Sequence, residues 1–382
     1  MQSFNSKFIF TCLFLVIFLI TLRSVYFYSI SLAPFPVVGV LLALSIPFLN
    51  VGGGFNYIQL RVLLAFFVFL LISFIPTIIY GNVYLNSVIG VVLNLLLMAS
   101  IFYKETLYYN LIKVINSVLF VHLIFFFIQF FVYHFSGEKI DYLEPITGEA
   151  QRMVGFEKIE AGGFSLFRPA GLFNEPSTYS VFMITLLWCV KVAGKENILI
   201  EKMTLVSILF TFSLSGIIFA IAYYVLQYYK RIKFFEVLVL LLISFVILLL
   251  FGDLFYAYFE HRVMNISNDN SANERLLMFQ LFYDLDASYQ LFGSGIGNDI
   301  IDIALTTVPS IFIYFGVVGA TIFILLILYS CFSHKVSIES AIFSILITFN
   351  FYKISNTYVW LYFILLLIVS RGRFLEVKNE AS

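Results

Sequence analysis

Arg168 stands seven residues before Glu175, with Gly171 and Asn174 between them and Pro176-Ser177 directly behind. A guanidinium is a planar fork of donors that matches phosphate oxygens, and a carboxylate is a natural proton acceptor. Together they suit a reaction in which a phosphate leaves and a hydroxyl attacks. Gly171 permits close backbone approach, and Pro176 fits the first turn of a helix capped by Asn174 or Glu175. Capping accounts for Asn-Glu-Pro-Ser but not for the arginine. Arg168 and Glu175 are therefore expected to meet as an ion pair at a membrane face.

Two further stretches carry candidate chemistry. Ser213-Leu214-Ser215-Gly216 interrupts an apolar run, where Ser213 and Ser215 either contact substrate or bond back to their own helix. Asn273-Glu274-Arg275 leads through an amphipathic stretch to Gly293-Ser294-Gly295-Ile296-Gly297-Asn298-Asp299. The alternating glycines lack the strand, helix and acid that a dinucleotide loop requires. They read either as a turn whose free N–H groups cradle a phosphate or sugar, or as a plain flexible loop. Pro309-Ser310 then opens a helix in which Gly316 and Gly319 are spaced for close helix packing.

Lipid must surround the elements that position these residues. Of 382 residues, 62% are apolar and only 12% charged, and the mean hydropathy is +1.01. Soluble chains run at roughly 45–50% apolar and about 25% charged, so too little polar surface remains to cover a soluble fold. The expected class is an all-α polytopic membrane protein with about 11–12 transmembrane helices. The apolar runs are 8–28, 30–49, 60–80, 84–103, 111–135, 176–193, 203–229, 234–252, 308–330, 338–353 and 355–370. They divide the chain into N-terminal helices (1–135), a first large external loop (136–175) and central helices (176–252). A second large external loop (253–307) and C-terminal helices with a short cytoplasmic tail (308–382) follow.

The run 203–229 decides the topology. As one helix it places Lys230, Arg231, Lys233, Lys335, Arg371, Arg373 and Lys378 outside, leaving Arg262, Arg275 and Lys353 inside. If the chain turns back at Ser213–Gly216, the seven lie inside and the three outside, as the positive-inside rule prefers. The broken form is expected. Each half is then too short to span the core, and irregular backbone at that depth is tolerated only against protein or a cavity. Both polar loops then face the same external side.

Other chemistries are set aside. His122, His134, His261 and His334 are scattered without a metal-binding spacing. No Walker sequence is present, and no basic stripe interleaved with aromatics points to nucleic acid. Cys12, Cys189 and Cys331 lie in or beside apolar runs and read as small buried hydrophobes.

The order of these features resembles the Wzy-type O-antigen and polysaccharide polymerases, in the superfamily that includes the O-antigen ligases. The residues that carry the resemblance are Arg168, Gly171, Phe173 and Glu175-Pro176, then Ser213-x-Ser215-Gly216. Glu274-Arg275 leading to Gly293-x-Gly295-x-Gly297 follows, then Pro309-Ser310 before Gly316-x-x-Gly319. Some polymerases of this kind carry an Arg followed eleven positions later by Gly; Arg152 to Gly163 matches, Arg275 does not. Ligases of the superfamily place a His in the last external loop, where this chain reads Thr306-Thr307-Val308-Pro309-Ser310. That difference favours a polymerase.

The resemblance implies a multi-pass protein of the bacterial cytoplasmic membrane whose active site faces the periplasm. The implied reaction transfers a growing glycan from undecaprenyl diphosphate to an incoming lipid-linked repeat unit, with inversion and without a metal or other cofactor. Arg168 and Arg275, then Arg152 and Arg262, are expected to offset charge on the departing diphosphate. Glu175, then Asp299, is expected to take the proton. Gly171, Asn174, Ser213, Ser215, Gly295, Gly297 and Asn298 are expected to line the substrate. Partners would be undecaprenyl-diphosphate-linked oligosaccharides, membrane lipid, a chain-length regulator and a flippase, with no nucleic acid. On this view Arg168→Ala abolishes polymerisation without lowering membrane abundance. An O-antigen ligase, or a lipid-linked oligosaccharide flippase, is the alternative.

Overall fold

The computed structural model describes residues 2–22, 34–46, 57–80, 85–102, 108–147, 150–153, 167–228, 277, 280–296, 307–348 and 357–380. The expected span 234–252 and the candidates Arg262, Arg275, Gly297, Asn298 and Asp299 lie outside the described residues.

The protein is an all-α, multi-pass membrane protein. Its helices are α1 (Gln2–Thr21), α2 (Pro34–Ser45), α3 (Tyr57–Tyr80), α4 (Leu85–Phe102), α5 (Tyr108–Ser136) and the single turn α6 (Glu144–Thr147). There follow α7 (Pro176–Ala193), α8 (Ile198–Phe210), α9 (Leu214–Tyr228), α10 (Ala287–Phe292), α11 (Thr307–Ser333), α12 (Ile338–Thr348) and α13 (Thr357–Glu380). Five of these, within α3, α5, α7, α11 and α13, are long and apolar enough to cross a membrane.

Burial separates central helices from lipid-facing ones. Within its apolar window α7 is 83% buried, whereas α3 is 28% buried. An apolar helix covered on all sides is a core element, and α7 packs against α5, α8, α9 and α13. Its sequence sets both ends. Glu175 stands at the N-cap with Pro176 at the first helical position, and Gly194 ends the helix in the left-handed region at φ 67°. Polar contacts pin the neighbours at chosen depths: Thr185 Oγ1 lies 2.5 Å from the Tyr358 hydroxyl, and Tyr179 donates to Ser207 Oγ at 2.8 Å.

The segment after α7 turns back on itself. α8 starts at the Asn197 cap, whose side chain accepts from Leu199 N at 3.0 Å, and ends at Phe210. α9 begins at Leu214. The Tyr223 hydroxyl donates to Glu201 Oε1 at 2.7 Å, and these residues are equidistant along the chain from Phe212. Only a hairpin brings them together. Thirteen and fifteen residues give arms of about 20 and 22 Å, short of a roughly 30 Å hydrocarbon core.

α11 is kinked at Gly316, which has φ 63° and ψ −175°. Gly316 therefore serves as a break, and it also allows the close approach expected of it: a Cβ there would fall 2.4 Å from Leu291 O on α10, whereas one at Gly319 would meet only Phe315 of its own helix. Residues at the C-terminal ends of α7 and α11, Lys191 and Lys335, line one cavity. The N-terminal ends of the two helices, with Glu175 and the Gly293–Ile296 turn, accordingly lie toward the other end of the bundle.

Candidate functional site

At the mouth of α7 two chain segments, 150–153 and 167–175, are folded onto the end of α5. Tyr133 stacks on Phe167 with ring centroids 4.0 Å apart, and Met153, Phe167 and Ala170 bury together beside it. The backbones are tied by Arg152 N to Asn174 O at 2.8 Å and Arg168 N to Met153 O at 3.2 Å.

Two glutamines hold this loop in shape. Gln129 Oε1 accepts from both Ala170 N and Gly171 N at 2.9 Å. Its amide nitrogen donates to Ile140 O at 2.8 Å and to Gln151 Oε1 at 3.0 Å. Gln151 Nε2 in turn donates to Gly171 O at 2.8 Å and Phe173 O at 2.6 Å. Asp141 completes the frame, accepting from Gln151 N at 2.6 Å and from Leu143 N and Glu144 N at 2.8 Å. Buried backbone groups must find partners, and here side chains supply them where no helix does. Sequence reasoning missed Gln129, Gln151 and Asp141. The available signal was an amide inside the run Phe125-Phe126-Phe127-Ile128-Gln129-Phe130-Phe131, since polar groups within membrane helices have partners or roles.

Gly171 is part of this frame and does not present a free backbone. It has φ 57° and is buried, and a Cβ there would sit 3.5 Å from the Tyr179 ring. Its N–H and C=O are both occupied by the glutamines, so the expectation that it contacts substrate is corrected to a turn-forming role. Asn174 Oδ1 is buried without a hydrogen-bond partner among the described residues.

The partner of Glu175 is Arg152, not Arg168. Arg152 Nη1 lies 2.7 Å from Glu175 Oε1, with side-chain exposures of 79% and 25%. Ser177 Oγ donates to the other carboxylate oxygen at 3.2 Å. Arg168 is only 7% exposed and its Nε donates to Thr211 O at 3.0 Å. The last carbonyls of a helix lack intrahelical donors and carry partial negative charge. The guanidinium of Arg168 fills that need at the end of α8. The first-choice phosphate ligand is thus buried against the helix break, and the second choice, Arg152, is the solvent-facing cation.

Ser213 and Ser215 lie at the same break. Ser213 Oγ is 3.0 Å from Ser215 Oγ and accepts from Gly216 N at 3.4 Å, while Ser213 O accepts from Ile217 N at 2.9 Å. Ser213 is therefore the N-cap of α9. Thr211 Oγ1 lies 2.9 Å from Ser180 Oγ on α7. A Cβ at Gly216 would meet Ser180 Oγ at 2.6 Å, so this glycine lets α9 press against α7. Arg168, Thr211 and Ser213 consequently form one cluster beside the Arg152–Glu175 pair.

The Gly293–Ile296 turn is packed, not open. Ser294 N donates to Ile313 O at 2.8 Å, Gly295 N to Tyr314 O at 3.0 Å and Ile296 N to Ser73 O at 3.4 Å. The kink at Gly316 frees the carbonyls of Ile313 and Tyr314 from the helix, and the turn supplies their missing donors. Gly295 therefore has no N–H left for a phosphate, and its expected substrate role is corrected to closing the kink. A Cβ at Gly293 would fall 2.3 Å from Tyr314 O, which explains the glycine. Among the described residues no three His, Cys, Asp or Glu side chains are grouped to share a metal ion.

In comparisons with known proteins, the chain matches no family model and no curated protein.

Proposed function

We propose that this chain is a polymerase of lipid-linked glycan repeat units, working on the external face of a bacterial cytoplasmic membrane. The reading is supported above all by the Arg152–Glu175 pair, a 2.7 Å contact at the exposed start of a central membrane helix. An acid and a cation held together at the lipid boundary suit a reaction in which a hydroxyl loses a proton while a diphosphate departs. The resemblance of the order of sequence features to Wzy-type polymerases supports the substrate class.

In this mechanism the diphosphate of the donor competes for Arg152, and a bidentate guanidinium–phosphate contact draws the side chain off Glu175. The freed carboxylate then accepts the proton of the attacking sugar hydroxyl. The hydroxyl oxygen bonds to the anomeric carbon, the bond from that carbon to the diphosphate oxygen breaks, and undecaprenyl diphosphate leaves with the electron pair. Arg168 acts as a positioning residue, fixing the Thr211 break behind the pair. A general base of this kind contributes about 10²–10⁴-fold, and the activated leaving group removes the need for nucleotide hydrolysis.

Glycan profiling of a deletion strain tests the proposal. Loss of a polymerase leaves single repeat units attached to their acceptor, whereas loss of a ligase leaves chains unattached. Restoring long chains with the wild-type gene but not with Glu175→Gln supports the polymerase; an unchanged glycan profile on deletion refutes it.

A further inference from the structure

At the other end of α7, some 16 residues and about 24 Å of helix from Glu175, lies a cavity of about 490 Å³. It is walled by the C-terminal parts of α7, α9 and α13 and by the start of α12. Two residues of its lining each carry a buried polar atom with no hydrogen-bond partner among the described residues: Trp188 Nε1 and Ser370 Oγ. Trp188 is 0% and Ser370 5% exposed. An indole N–H can only donate, and leaving it unpaired in the interior is unfavourable. Such orphans point to a missing acceptor.

Charge in the cavity has the matching sign. Lys191, Lys335 and Arg373 line it, with Glu339 as the one lining acid among the described residues. Lys191 is neutralised by Glu196 at 2.9 Å and Glu201 at 3.4 Å. Arg373 donates to Val192 O at 2.7 Å, and Lys335 lies over the Phe374 ring at 5.7 Å; neither has a carboxylate partner among the described residues. Ser337 caps α12, accepting from Ser340 N at 3.2 Å, so the positive end of that helix also opens on the cavity. Leu226, Phe374 and Val377 supply an apolar wall. The lining is thus rich in donors and cations, with a greasy side.

We infer that this cavity binds a phosphate anion, held by Lys335 and Arg373 with Trp188 Nε1 and Ser370 Oγ as neutral donors. The anion is either the headgroup of an anionic lipid, whose acyl chains would lie on the apolar wall, or free inorganic phosphate. The site is separate from the proposed catalytic mouth and does not rest on the polymerase reading.

The test uses the purified full chain in neutral detergent, titrated with inorganic phosphate, with short-chain phosphatidylglycerol, and with short-chain diacylglycerol lacking the phosphate. Thermal unfolding and Trp emission are read in a Trp360→Phe background, which leaves Trp188 as the only indole. Saturable stabilisation by phosphatidylglycerol alone assigns the site to a lipid headgroup; saturation by inorganic phosphate as well assigns it to the anion itself. In either case Lys335→Ala and Arg373→Ala should each weaken binding about tenfold, the scale of one charge-assisted contact. Ser370→Ala should weaken it less while leaving the unliganded protein folded. The proposal is overturned if neither phosphate compound stabilises, if diacylglycerol does so equally, or if Lys335→Ala and Ser370→Ala bind like wild type.

Discussion

Arg168 Nε and the main-chain oxygen of Thr211 lie 3.0 Å apart, joining the loop before α7 to the break between α8 and α9. Forty-three residues separate them in the chain. The bond ties the loop that carries the exposed Arg152–Glu175 pair to the buried hairpin.

Replacing Arg168 tests this coupling. Hydrogen bonds to charged groups contribute about 1.5–3 kcal/mol, and an orphaned buried carbonyl adds its own penalty. Arg168→Ala should therefore lower the unfolding midpoint in detergent as well as abolish glycan polymerisation. That differs from the expectation drawn from sequence alone, in which abundance is unchanged. Normal stability together with lost activity would return Arg168 to a direct role on the diphosphate.

Arg152 and Glu175 should behave in the opposite way. Exposed ion pairs contribute about 0–1 kcal/mol, and Arg152 is 79% exposed. Arg152→Ala and Glu175→Gln should leave thermal stability within about 1 kcal/mol of wild type. Glu175→Gln should cut chain elongation by about 10²–10⁴-fold. Activity within a few-fold of wild type would reduce Glu175 to the cap of α7.

The glutamine frame predicts a third outcome. Gln129→Leu strips the acceptor from Ala170 N and Gly171 N, at about 1–3 kcal/mol for each group left unpaired. Hydrogen exchange should rise in 150–153 and 167–175 before it rises in α7. If protection in these segments is unchanged, the glutamines do not hold the loop.

Gly216 and Ser180 form a steric pair suited to a double substitution. Gly216→Ala places a methyl 2.6 Å from Ser180 Oγ and 2.8 Å from its Cβ, so α9 must move away from α7. Overpacking of this kind costs about 1–3 kcal/mol. Adding Ser180→Gly removes both atoms and should recover most of the loss in unfolding midpoint; simple additivity of the two changes would refute the contact.

The sequence displays the membrane fold because lipid as solvent demands long apolar runs, and α3, α5, α7, α11 and α13 carry them. The break at Thr211–Ser213 falls beside the Ser213–Gly216 stretch that charge counting singled out. What pairs with Glu175 was not legible, since Arg152 and Arg168 are both within reach along the chain. The choice is made by long-range bonds: Gln129 to Ala170 and Gly171, and Arg168 to Thr211. The Gly293–Gly295 turn misled for a related reason. Its donors are free in the sequence, but the acceptors come from a kink at Gly316 that no periodicity announces.

Sidedness is the remaining prediction, and it follows from the bundle together with the charge count. Glu138 and Asp284 are exposed in the two polar segments, and Lys195 and Lys335 are exposed at the far ends of α7 and α11. Single cysteines at these four positions, in a chain whose Cys12, Cys189 and Cys331 are replaced, should divide into two pairs. An impermeant thiol reagent added to intact cells should label Glu138→Cys and Asp284→Cys, and label Lys195→Cys and Lys335→Cys only after the membrane is opened. The expected orientation rests on the positive charge of Lys191, Lys195, Lys335, Arg371 and Arg373. Labelling that puts Glu138 and Asp284 on opposite faces would separate the two polar segments, and a lipid-linked donor could not then be held between them.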